Sequence, residues 1–271
     1  MSGTWPWIIF NAFVILMLAI DLGIFNRQSN KVTFKAAISW TAVWVIIALL
    51  FNGWIYYSMG QKPAIEFFTG YLIEKSLSVD NIFVFILLFS FFKVPEEYQH
   101  RVLFWGVIGA LVLRAIFIAV GAVLIAKFHW IIYLFGVFLV YTGYKMFKKT
   151  AADIHPENNP LVSWFIKRGK VTNEYHGNKF FVNINGKKLA TPLFLCLLSI
   201  EFTDLIFAVD SIPAIFAITN DPFIVYTSNV FAILGLRSLY FCIRRHYHKI
   251  PLSPLWVGHY THIYRMQNVI D

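Results

Sequence analysis

Charge is scarce in this chain. Of its 271 residues, 14% are Asp, Glu, Lys or Arg and 58% are hydrophobic, against roughly 25% charged in an average soluble domain. That shortage excludes an ordinary water-soluble globule and points to a bilayer. Cysteine is scarce too: Cys196 and Cys242 both fall in apolar stretches, where a small buried hydrophobe is expected rather than a disulfide or a metal pair. The opening MSGTWPW has no Lys or Arg and no small-residue cleavage site follows it, so the first apolar stretch is expected to be a true helix and not a cleaved signal. No nucleotide-binding loop, nucleophile elbow or zinc-protease signature occurs in the sequence, and neither enzymatic activity nor a permanently bound cofactor is expected.

What the chain does have is apolar runs of spanning length, about 20 residues each. Seven are legible, at 5–25, 36–57, 67–92, 102–126, 130–147, 192–219 and 223–243. The expected fold class is therefore all-α, a polytopic transmembrane helix bundle. Between the runs, Lys and Arg alternate between few and many, from none before the first to eight in 148–190 and a basic tail at the end. The positive-inside rule then puts the N-terminus outside and both the 148–190 loop and the C-terminus in the cytoplasm. The net charge of +9 thus marks topology and contact with anionic headgroups. The lipid bilayer is the first partner and nucleic acid is not expected; the oligomeric state is not written in the sequence.

Four regions follow. Residues 1–147 form a transmembrane region of about five spans with a first acidic motif, and 148–190 a polar cytoplasmic loop, where FFVNING followed by KK reads as a small hairpin. Residues 191–243 carry a second acidic motif over two spans, and 244–271 are an atypical basic tail. The two motifs are a repeat: EKSLSVDNIFVF at 74–85 lies against DLIFAVDSIPAI at 204–215, matching Glu74 with Asp204, Asp80 with Asp210, and Asn81 with Ser211. Each is followed by a span with one arginine, Arg114 in ALVLRAIF and Arg237 in ILGLRSLYF. With the N-terminus outside, the two acidic spans cross the membrane in opposite directions. Inverted repeats of this kind place paired sites near the midplane and underlie alternating access.

Six carboxylates fall within spans: Asp21, Glu74, Asp80, Glu201, Asp204 and Asp210. A central Asp costs roughly 2.5–3.5 kcal/mol on insertion scales, whereas each Leu, Ile or Phe returns only about 0.3–0.6. Pairing with Lys75, Arg114 and Arg237 accounts for at most half of the six, and the remaining negative charge needs protons or a bound cation. The neutral donors beside the acids are oxygens, from Ser76, Ser78, Asn81, Thr203 and Ser211, with no His or Met among them. Hard oxygen sets suit Mg, Ca or Mn and disfavour Zn, Cu and Ni; the residues alone leave Mn, Mg and Ca open. On a continuous helix, residues six apart lie about 240° around the axis, so Asp204 and Asp210 could not share a small site, whereas Glu201 and Asp204 could. Pro213 deprives the Val209 carbonyl of its donor. The expectation is a locally unwound sixth span and, more generally, discontinuous acidic helices.

These phrases, together with AIDLGIFNR and SWTAVWVIIALLFN near the start, resemble the TerC family of multi-pass membrane proteins, in its Alx-like branch, over about residues 10–241. The resemblance implies manganese efflux across the bacterial inner membrane and an association with tellurium resistance. It implies Glu74, Asp80, Asn81, Glu201, Asp204, Asp210 and Ser211 as metal and transport residues, with Asp21, Lys75, Arg114 and Arg237 in support. The tail CIRRHYHKIPLSPLWVGHYTHIYRMQNVID departs from it, and is expected to be a frameshifted or truncated end whose four histidines, His246, His248, His259 and His262, have no metal role. The leading expectation is an exporter of Mn²⁺ working by alternating access, with protons as a coupling ion. The alternatives are a membrane assembly or stress-response scaffold that transports nothing, and a carrier of a small organic solute with Arg114 as counter-charge.

Overall fold

A computed structural model describes residues 4–26, 34–128, 130–148, 160–184 and 186–247. Hydrocarbon offers the backbone no hydrogen-bonding partner, so an apolar chain must pair its N–H and C=O groups internally, as helices do. Among the described residues nine helices form: α1 (Trp5–Asn26), α2 (Phe34–Met59), α3 (Gln61–Phe91), α4 (Glu96–Lys127), α5 (Ile131–Lys148), α6 (Pro160–Lys167), α7 (Pro192–Phe216), α8 (Pro222–Ile233) and α9 (Leu236–Tyr247). One antiparallel hairpin, β1 (Phe181–Ile184) with β2 (Lys187–Ala190), lies between α6 and α7, where the alternation around FFVNING predicts it.

The seven expected spans correspond to α1 to α5, α7, and α8 with α9. Four stretches, Phe34–Met59, Glu96–Lys127, Pro192–Phe216 and Pro222–Arg244, are long and apolar enough to cross a membrane. The 31 residues of α3 reach about 46 Å, but Glu66, Glu74, Lys75 and Asp80 interrupt their apolar character.

The expected discontinuity is displaced. Both acidic helices run without interruption, α3 through Asp80 and α7 through Pro213. Pro213 lies in the last turn of α7, where it removes a single backbone bond, and the ladder resumes at once, with the Ala217 N–H reaching the Pro213 carbonyl at 3.0 Å. The break falls in the seventh span instead. Gly235 has φ +86°, and a Cβ there would lie 2.8 Å from the Trp44 indole, so both the left-handed backbone and the close approach of α2 require glycine.

Every residue of α8 from Phe223 to Ile233 is buried, which makes it the axis of the bundle rather than a lipid-facing span. It packs along α3 and α4, while α7 packs along α4 and α2 lies against α3 and α9. Thr219, just past the end of α7, donates to Glu66 Oε2 near the start of α3 at 2.7 Å, so these two helices are antiparallel. Gly106 faces Ile200 and Gly121 faces Phe216, so α4 and α7 run parallel. These relative directions follow from counting α3, α4 and α7 as the third, fourth and sixth spans.

An aromatic knot closes the end where α1, α2, α3 and α8 meet: the Phe231 ring lies tilted against Phe51 at 4.8 Å and edge-on to Phe10 at 5.6 Å and Phe67 at 6.0 Å. The hairpin docks through Phe181 on Phe194, 4.4 Å between centroids, and in the segment before it the Tyr175 hydroxyl donates to the Phe92 carbonyl, just past the end of α3, at 2.6 Å. Burial holds the Tyr175 phenol above its ordinary pKa, so it remains a donor.

Candidate functional site

Each acidic helix presents the same stripe to the interior. Glu74, Ser78 and Asn81 on α3 are buried, as are Asp204 and Ser211 on α7. Residues seven apart on a straight helix return to nearly the same face, about 10 Å along, so the repeat delivers a carboxylate and a neutral oxygen donor from each helix. The second acid of each motif, six residues on, turns away: Asp80 is exposed and Asp210 half-buried. The spacing argument therefore holds on both helices, and without local unwinding the second acids stay out of the cluster.

Arg114 of α4 joins the two stripes. Its guanidinium, 1% exposed, donates through Nη1 to Glu74 Oε1 and to Asn229 Oδ1 at 2.6 Å. Through Nη2 it reaches Asp204 Oδ1 at 3.1 Å and through Nε Asp204 Oδ2 at 3.5 Å. Asn81 Nδ2 adds a contact to Asp204 Oδ1 at 3.4 Å. The carboxylates matched by the repeat are thus bridged by one cation in the middle of the bundle. Removing one partner of such a buried pair typically costs about 3–5 kcal/mol, because a charge is left uncompensated.

Glu201 lies one helical turn before Asp204, packed against α4 where Gly109 leaves room: any Cβ on that residue would overlap the carboxyl group. Several polar atoms of the cluster are buried without a partner among the described residues, namely Glu74 Oε2, Asn81 Oδ1, Glu201 Oε2, Ser211 Oγ and Asn229 Nδ2. A cavity about the size of one water molecule opens among Ser78, Asn81, Arg114, Asp204, Ile233 and Leu236. The last two flank the α8–α9 break. Four of the five unpartnered atoms are oxygens, a donor set suited to a hard cation. Among the described residues no three His, Cys, Asp or Glu side chains converge as a ready-made metal cage; the converging set is two carboxylates, two amides and a guanidinium.

The other proposed supporting residues serve elsewhere. Arg237 pairs with Asp21 of α1 and lies over the Phe104 ring, 5.4 Å from its centroid. Lys75 Nζ donates to the Ala232 carbonyl at 3.1 Å, at the C-terminal end of α8 where carbonyls lack helical partners. Cys196 and Cys242 are both free thiols. His246 lies in α9, though nothing is described of its side chain; His248, His259 and His262, with the rest of the tail from 248, lie outside the described residues.

Two contributors were missed by sequence reasoning. Asn229 carries a signal, since an amide within FIVYTSNVFAIL incurs the same kind of burial cost that singled out the carboxylates. Gly109 carries none, because only the packing of α7 gives that glycine a purpose.

Comparison with known proteins agrees with this architecture. The sequence pattern of the integral membrane protein TerC family matches residues 59–256. An uncharacterized membrane protein of Myxococcus xanthus is 51% identical over 256 residues, covering 93% of this chain and 80% of the relative. One from Rickettsia bellii is 48% identical over 237 residues, 88% of this chain and 78% of its own. A protein of Escherichia coli K12, named Alx and described as a candidate membrane-bound redox modulator, is 49% identical over 246 residues, 88% of this chain and 77% of its own. No solved structure matches the chain. With two-fifths or more of its residues shared along most of its length, and a buried polar centre built from the phrases that suggested the likeness, the chain belongs to the TerC family of integral membrane proteins.

Proposed function

We propose that the chain moves a divalent cation, Mn²⁺ in the first instance, out of the cell by alternating access between its inverted repeats. The observation that carries this reading is the meeting of Glu74 and Asp204, repeat-matched acids on antiparallel helices, with Asn81, Glu201 and Ser211 offering unpartnered oxygens beside them. An apolar bundle stabilised only by packing has no use for such groups in hydrocarbon. The cation is cargo, taken up by these oxygens on one side and released on the other, with protons as the coupling ion and no chemical conversion of a substrate. The location is the inner membrane, the 148–190 loop facing the cytoplasm, and the physiological role is metal homeostasis of the kind linked to tellurium resistance.

Support for manganese over magnesium or calcium comes from the family resemblance, since the donor set accommodates all three. The redox role in the description of the Alx relatives favours a second reading, in which the protein acts without transport. In this chain Cys196 is wholly buried and Cys242 half-buried, a poor placement for thiol chemistry, and cation movement takes precedence for that reason. Uptake of Mn²⁺ into proteoliposomes containing the full chain decides between them. Transport should be lost in Asp204→Asn at equal incorporation; wild-type rates in that variant would overturn the site, and no transport by any version would favour the second reading.

A further inference from the structure

We propose that Arg114 is a tethered counter-cation that competes with the transported ion for Glu74 and Asp204: the ion binds as the guanidinium withdraws, and the returning guanidinium drives release. This rests on the reading of the chain as a divalent-cation transporter and assigns a residue to the release step. Arg237 pairs with Asp21 of α1, an acid outside the two repeated motifs. Arg114 instead spans both repeat-matched acids on helices α3 and α7, the two elements whose relative movement constitutes alternating access.

Charge and geometry fit the exchange. Once the guanidinium has withdrawn, Glu74 and Asp204 present two negative charges, the complement of one divalent ion, with the Glu201 carboxyl group one helical turn from Asp204. Glu74 Oε2 and Asn81 Oδ1, on residues 0% and 2% exposed, have no partner among the described residues, so oxygens are already placed to take over coordination. Asn229 Oδ1 holds the same Nη1 at 2.6 Å and offers the guanidinium a neutral anchor when it leaves the carboxylates. The cavity beside Arg114 and Asp204 holds only about one water molecule, so the guanidinium withdraws as the surrounding helices shift, the movement that alternating access supplies.

Titration of the purified full chain in nanodiscs with MnCl₂, read by calorimetry, tests this. Arg114→Gln should bind Mn²⁺ more tightly than wild type by about tenfold or more, while proteoliposome transport slows because release is impaired, and Arg114→Lys should fall between. Equal or weaker affinity in a monodisperse Arg114→Gln would overturn the proposal. If that variant does not fold, Arg114→Gln/Glu74→Gln restores the charge balance. It should then bind more tightly than Glu74→Gln alone, and equal affinities would overturn the idea. Identical Mn²⁺ responses in wild type and Arg114→Gln remove only the counter-cation role, whereas silence of every version toward Mn²⁺, Mg²⁺ and Ca²⁺ removes the transport reading itself.

Discussion

The two repeats start from similar phrases and use their arginines differently. In the first, Arg114 sits on the uninterrupted α4 and points into the centre, where it bridges acids from both repeats. In the second, the helix breaks at Gly235 before Arg237 is reached, and that arginine pairs outward with Asp21 of α1. A break of two residues therefore separates a cation at the heart of the polar cluster from one that fastens a peripheral helix. The buried polar network on that side is completed by Tyr240, whose hydroxyl donates to Gln99 Oε1 at 2.7 Å. The lesson is that the repeat keeps Glu74 and Asp204 in matched positions while its arginines diverge, one bridging both acids and the other pairing with α1.

Breaking this comparison at the acids should give the largest effect. Mn²⁺ binding, followed by calorimetry, should fall by more than about a hundredfold in Glu74→Gln, while Asp80→Asn, on the exposed face of α3, should stay within about tenfold of wild type. A large loss at Asp80 would show that the turned-away acids rejoin the site in another conformation.

The arginines come next. Arg237→Gln should lower stability by about 3–5 kcal/mol with Mn²⁺ affinity unchanged, and Asp21→Asn/Arg237→Gln should recover part of that loss, both read by thermal unfolding in detergent. A change in affinity would bring Arg237 into the transport machinery.

The helix break should matter less, and the proline least. Gly235→Ala forces a non-glycine residue into φ +86° against Trp44 and should cost about 1–3 kcal/mol. Pro213→Ala, in a helix that is already continuous, should shift stability by less than about 1 kcal/mol. The reverse order would place the hinge in the sixth span, where the sequence suggested it.

Much of this was legible before any coordinates. The apolar runs follow from the cost of polar backbone in hydrocarbon, and the pairing of Glu74 with Asp204 from a twelve-residue self-similarity. The six-residue spacing correctly implied that Asp204 and Asp210 face apart on a continuous helix. Pro213 misled, because a missing N–H indicates where a helix can open and not whether packing lets it. Gly235 was silent for the converse reason: ILGLRSLYF reads as apolar, and only Trp44 from a helix some 190 residues away makes glycine obligatory there.

The sequence by itself determined that this is a multi-span helical membrane protein with paired acids in opposed helices, because hydrophobicity, charge placement and repetition are local properties written along the chain. Tertiary structure alone decided which acids meet. Partner choice among Glu74, Asp80, Asp204 and Asp210 depends on the face each helix turns inward and on what lies across from it, and Arg114 and Asn229 hold their positions because α4 packs on α7 and α8, and α8 on α3.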